Sequence, residues 1–120
     1  MKASEIILAD AQKRGVDGDR ALATVSNAVK QKKAVLLQEG NSVLLLTKIN
    51  DEAADTHLFT QEGVMSLARS LGAFKKRITD LGIKTIYGKA SNTQILELMK
   101  KVGFNVIDSD LPQYNWKAEL

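Results

Sequence analysis

Cysteine is absent from this 120-residue chain, and histidine occurs once, at His57. Disulfides and thiolate metal sites are thereby excluded, and a zinc centre is left with too few nitrogen and sulfur donors to be expected. Aromatic residues make up only 5% of the sequence, so the interleaved rings on which nucleic-acid bases stack are missing. No apolar run approaches the roughly 18 residues that cross a bilayer. Met1–Asp10 mixes Lys2 and Glu5 with Ile6, Ile7 and Leu8 and ends without a cleavage-like signature. Neither a membrane span nor a secretory signal is expected, which points to the cytoplasm.

What is present is enough for one core. With 44% hydrophobic residues the chain reads as a single domain, residues 1–120, with two helices in 1–33 and a sheet with two further helices in 34–120. Seventeen Lys and Arg against fourteen Asp and Glu give a net charge of +3. Eight of the cations fall in three small groups: Lys30, Lys32 and Lys33; Lys75, Lys76 and Arg77; Lys100 and Lys101. Each group sits near the end of an expected helix, where the dipole favours cations. A nucleic-acid partner is not expected from them.

"SEIILADAQKRG" closes on Gly15 and reads as a helix. "DGDRALATVSNAVKQKK" spaces Leu22, Val25 and Val29 on one stripe, with Asp17 or Asp19 as its cap. "AVLLQ" and "SVLLLTKI" read as a hairpin around Gly40 and Asn41, both expected at positive φ, and "DTHLFT" adds a third strand. From Gly63 to Gly82, Leu67, Leu71, Phe74, Ile78 and Leu81 recur at helical spacing. "IKTIYGKA", "NTQILELMKKVG" and "FNVIDSD" follow as strand, helix and strand, and "YNWKAEL" as a last edge strand. The order predicts an α/β layer with a mixed sheet.

Asn92, Ile95, Leu98, Gly103 and Phe104 fit the pattern N-x-x-φ-x-x-φ-x-x-x-x-G-F. This pattern, with the element order from Ala34 onward, resembles the GNAT N-acetyltransferase superfamily over roughly the last two thirds of the chain. The resemblance implies a mixed, mostly antiparallel central sheet flanked by helices, acetyl-CoA as cofactor if the protein is active, and a small amine as acceptor. It also implies a contact from Asn92 to the pantetheine arm, although the residue is first of all explained as a helix cap. In general pattern the chain looks like the small, divergent GNAT-like proteins that tailed bacteriophages encode near their virion genes. That likeness implies a host-cytoplasm or virion location and a protein partner.

GNAT enzymes resemble one another in a loop Q/R-x-x-G-x-G/A that holds the CoA pyrophosphate. Its counterpart here is "TQEGVM", Thr60 to Met65, which makes Gly63, Val64 and Met65 the candidate cofactor-binding residues beside Asn92. Thr60 is expected to cap the helix, with Glu62 near its positive end. A carboxylate about 4 Å from a phosphate costs on the order of 1 kcal/mol in water and more when buried. Glu62 and the bulky Met65 are therefore expected to crowd the diphosphate. The family's proton-donating Tyr on the fourth helix corresponds to Met99, which has no proton to give. Tyr87 and Tyr114 read as rings packed at the sheet surface with their hydroxyls in water. Asp55 and His57, two apart on a strand and so on one face, are the candidate catalytic residues.

Two readings stay open at this point. One is a GNAT-like domain with a degenerate acyl-CoA site, serving as a binding or structural module. The other is an active acetyl-CoA-dependent N-acetyltransferase with a non-standard pyrophosphate loop. A homodimer through an unprotected sheet edge is compatible with either.

Overall fold

The computed structural model describes residues 1–89 and 93–120. Helices α1 (Ala3–Arg14) and α2 (Gly18–Lys30) precede strands β1 (Ala34–Glu39), β2 (Ser42–Asn50) and β3 (Ala53–Thr60). Then come α3 (Val64–Asp80), β4 (Thr85–Gly88), α4 (Thr93–Lys101), β5 (Asn105–Asp108) and β6 (Trp116–Glu119). No helix among the described residues is long and apolar enough to cross a membrane.

Local chemistry sets most of the boundaries. Gly15 ends α1 at φ 72°, a left-handed conformation that costs a glycine little. Of the two cap candidates for α2, Asp17 is used, its carboxylate accepting from the amides of Asp19 and Arg20 at 3.1 and 3.3 Å. Glu39 and Ser42 pair directly, so Gly40 and Asn41 form a two-residue turn. Gly40 has φ 54°, whereas Asn41 does not share the expected positive φ. A II′ turn needs it only at the first central position.

The six strands lie in the order β1-β2-β3-β4-β6-β5. Alternation along the strands divides the core into two. Val43 and Phe59 face α1 and α2, packing with Ile6, Ile7 and Val25. Leu44, Leu46 and Ala54 face α3 and α4, packing with Leu67, Leu71, Phe74, Ile78 and Met99. Leu81, expected to close the α3 stripe, instead caps the helix and is 52% exposed.

The C-terminal strand is not at an edge, as the sequence suggested. It lies between β4 and β5 and pairs antiparallel with both, from Thr85↔Glu119 to Gly88↔Trp116 and from Asn105↔Glu119 to Asp108↔Trp116. The β4–α4–β5 crossover leaves a gap one strand wide, and the returning tail fills it. Ala118 is fully buried there, and β5 becomes the edge.

Candidate functional site

Between β3 and β4 the sheet comes apart. These parallel neighbours pair only at Ala53↔Thr85, Ala54↔Ile86 and Asp55↔Tyr87. One further tie, from Thr56 Oγ1 to the Tyr87 carbonyl at 3.0 Å, closes the joint. Beyond it β3 runs on to Thr60 while β4 stops at Gly88. A cavity of about 750 Å³ occupies the opening, lined among others by Thr56, Leu58, Gly88, Ile95, Met99 and Trp116. Gly88 is required at this wall, because a Cβ there would lie 2.1 Å from the Trp116 ring. The indole N–H donates to the Lys89 carbonyl at 3.3 Å.

The freed edge of β3 is partly satisfied by side chains. Asp10 of α1, only 4% exposed, accepts from the Thr60 amide at 3.2 Å. Arg14, one turn on, donates to the Leu58 carbonyl at 2.8 Å and pairs with Asp10 at 2.8 Å. The two side chains take the place of a neighbouring strand along this stretch.

At the top of the opening α3 begins. Gly63 is its N-cap, with extended backbone (φ −76°, ψ 176°) and no side-chain cap. The expected Thr60 cap is not formed; its hydroxyl accepts from the Glu62 amide at 3.1 Å and contacts Ser42 Oγ at 2.6 Å. Glu62 Oε1 accepts from Ser42 Oγ at 2.5 Å and from Ser70 Oγ at 2.6 Å. Because Ser70 lies in the second turn of α3, the carboxylate sits alongside the helix against the hairpin rather than in front of its first amides. Met65 is 80% exposed and extends into solvent. Of the two side chains expected to crowd the helix mouth, Glu62 is therefore held off it, while Met65 stands exposed on the first turn of α3. A helix start of this kind presents unpaired N–H groups and the positive end of the dipole.

Asp55 and His57 share one face of β3, at the point where the strands part. Asp55 Oδ2 accepts from the Tyr114 hydroxyl at 3.2 Å, and Tyr87 donates to Asp110 at 2.9 Å. Neither phenol is left to water as expected; their rings lie 5.4 Å apart on the sheet. Burial raises the Asp55 pKa, against opposing pulls from the Tyr114 hydrogen bond, Lys89 and His57. Burial also raises the Tyr114 pKa, helped by the Asp55 charge, so the phenol stays protonated. The His57 ring lies 4.5 Å from that of Phe59, and desolvation followed by the Arg14 charge lowers its pKa. A neutral imidazole and a carboxylate can each accept a proton here, while a bound phenol can donate one.

Met99 is buried in the cavity wall at 4% exposure. Asn92 lies outside the described residues. Tyr114, Trp116, Arg14, Ser42 and Ser70 were not singled out in the sequence as site components. Gly88 was the one legible trace of Trp116, since a glycine within a strand marks close approach by another group.

No protein-family model and no curated protein matches this sequence. Solved structures do resemble the fold. The Campylobacter jejuni N-acetyltransferase PseH, in complex with acetyl coenzyme A, is 16% identical with TM-score 0.58, covering 100% of this chain and 92% of its own. Aminoglycoside 6'-acetyltransferase type Ii is 15% identical with TM-score 0.62, covering 97% of this chain and 85% of its own. A Bacillus subtilis acetyltransferase in complex with CoA is 16% identical with TM-score 0.55, covering 85% and 86%. The chain therefore has the GNAT, or acyl-CoA N-acyltransferase, fold.

Proposed function

We propose that this protein binds acyl-CoA in the opening between β3 and β4 and transfers the acyl group to a small amine. The observation that carries the reading is the parting of the strands beyond Asp55 and Tyr87, with an uncapped helix start at its upper end. The residues fit such a ligand. The amides of Val64, Met65 and Ser66 would hold the pyrophosphate, and the part of the β3 edge that Asp10 and Arg14 leave open, between Thr56 and the Leu58 amide, would face the pantetheine amides. When bound, acetyl-CoA supplies an activated acyl thioester. Asp55 or His57 accepts the proton that the amine loses, and Tyr114 orients Asp55. The apolar wall of Ile95, Met99 and Trp116 excludes water.

A second reading is supported by Met99. With a thioether where the resemblance implies a proton donor, the domain binds without turnover and serves as an accessory to a protein partner, in a phage particle if phage-encoded. One pair of measurements separates the two. Acetyl-CoA at a hundred times its dissociation constant raises unfolding stability by about 2.7 kcal/mol if it binds. Release of free CoA thiol with a panel of small amines then reports transfer. A thermal response without thiol release favours the accessory role, and a flat thermal response at millimolar ligand removes the acyl-CoA reading.

A further inference from the structure

Four polar side chains beneath the start of α3 form a closed set. Ser42 is fully buried and has a single hydroxyl hydrogen, which the 2.5 Å contact gives to Glu62 Oε1. The 2.6 Å contact between Ser42 and Thr60 must then be donated by Thr60. Thr60 Oγ1 in turn accepts from the Glu62 amide at 3.1 Å. The ring thus starts and ends on one residue: Glu62 amide to Thr60, Thr60 to Ser42, Ser42 to the Glu62 carboxylate. Ser70, 6% exposed, adds a second donor to the same oxygen at 2.6 Å. The Gln61 amide ties the bend to the Asn41 carbonyl at 3.0 Å. The hairpin makes room for the acid, since a Cβ at Gly40 would stand 2.7 Å from Glu62 Oε2.

We infer that Glu62 is a positioning residue, whose carboxylate, held by Ser42 and Ser70, fixes the Gln61–Gly63 bend and keeps the first N–H groups of α3 open to an anion. The purpose of that opening rests on the acyl-CoA reading; the action of Glu62 on the bend does not. Two physical effects oppose each other here. The charge of Glu62 repels an incoming diphosphate, so its removal by itself strengthens binding. Its hydrogen bonds satisfy two buried hydroxyls, so its loss releases the bend. Positioning outweighs repulsion, because the carboxylate lies beside the helix rather than in front of it.

The test uses the full chain with Glu62→Ala and Glu62→Gln, read by the backbone amide shifts and hydrogen exchange of Gly63–Ser66 and by calorimetric titration with coenzyme A. Glu62→Ala is expected to displace those amides and to weaken coenzyme A at least tenfold. Glu62→Gln keeps an oxygen that can accept both hydroxyls, and is expected to restore the amides and bind within about threefold of the parent. Tighter or unchanged binding by Glu62→Ala, or undisturbed amides, overturns the inference. Should Glu62→Ala not fold, Ser70→Ala removes one donor and is expected to change both readouts in the same direction, by less. A parent protein that ignores coenzyme A while its amides respond as described sinks the acyl-CoA reading and leaves the positioning role standing.

Discussion

At one end of the opening α3 starts at Gly63 with no side chain on its first N–H groups; at the other, Asp55, His57, Tyr114 and Met99 surround the joint of the sheet. The first end offers main-chain donors and the second offers side-chain chemistry. Main-chain donors tolerate change in the residues that carry them, provided that bulk and charge are directed elsewhere. Glu62 meets that condition, its carboxylate being held by Ser42 and Ser70 against the hairpin. Side-chain chemistry has no such tolerance, and the thioether of Met99 in the wall has no proton to give.

The largest expected effect strikes both ends at once. Phe74 is fully buried beneath the opening and lines it from the α3 side. Phe74→Ala is expected to cost about 3–5 kcal/mol in urea unfolding, because burial is lost and a cavity remains. Any loss of coenzyme A affinity in this variant is expected to accompany loss of fold rather than precede it.

Gly63→Glu sets the ends apart. A Cβ at Gly63 meets nothing within 4 Å and the φ of −76° suits any residue, so the fold tolerates the change. Stability is expected to stay within about 0.5 kcal/mol. Coenzyme A affinity is expected to fall at least tenfold, about 1.4 kcal/mol, by calorimetry. Unchanged affinity would show that the helix start is not where the ligand is held.

Tyr114→Phe probes the opposite end. It deletes the hydroxyl that donates to Asp55 and is expected to cost about 1 kcal/mol of stability. Coenzyme A affinity is expected to stay within about twofold, since the phenol bonds Asp55 at the joint of the sheet and makes no contact with the helix start proposed to hold the pyrophosphate. The Tyr114 hydrogen bond is the foremost influence lowering the Asp55 pKa against burial, so its loss raises that pKa further. Carbon-13 titration of the Asp55 carboxyl checks the direction without requiring an acceptor substrate.

How much of this was legible depended on whether the cause was local. Gly15, Gly82 and Gly103 end helices at positive φ, and Leu67, Leu71, Phe74 and Ile78 form the buried stripe that their spacing announced. The order of elements followed from such signals. The place of β6 did not, because a four-residue strand carries too little alternation to tell an edge from a centre. The same applies to the candidate site. Asp55 and His57 share a face by period alone, whereas Tyr114 reaches Asp55 across 59 residues of chain. The direction taken by Glu62 was invisible for a similar reason: Ser42 lies 20 residues away at the start of β2. A carboxylate in a phosphate-type loop reads as repulsive until its hydrogen-bond donors are known.

The smallest expected effect belongs to His57, which stands between the two ends with Arg14 on one side and Asp55 on the other. Folding lowers its pKa from 6.5, so as pH falls the unfolded chain takes up a proton first. Stability contributed by the neutral ring is therefore present above 6.5, declines as pH falls, and is lost below the folded value. Asp55 acts in the opposite sense, because its folded pKa lies above 3.8 and the folded chain protonates first on acidification. Between about pH 7 and 5 the histidine dominates, since its reference value lies inside that window. His57→Gln is expected to flatten the dependence of urea-unfolding stability on pH in that range and leave the Asp55 contribution at lower pH. A slope unchanged by the substitution would mean that burial and the Arg14 charge do not hold the imidazole neutral, and would count against the proposed role of His57 as a proton acceptor at the joint.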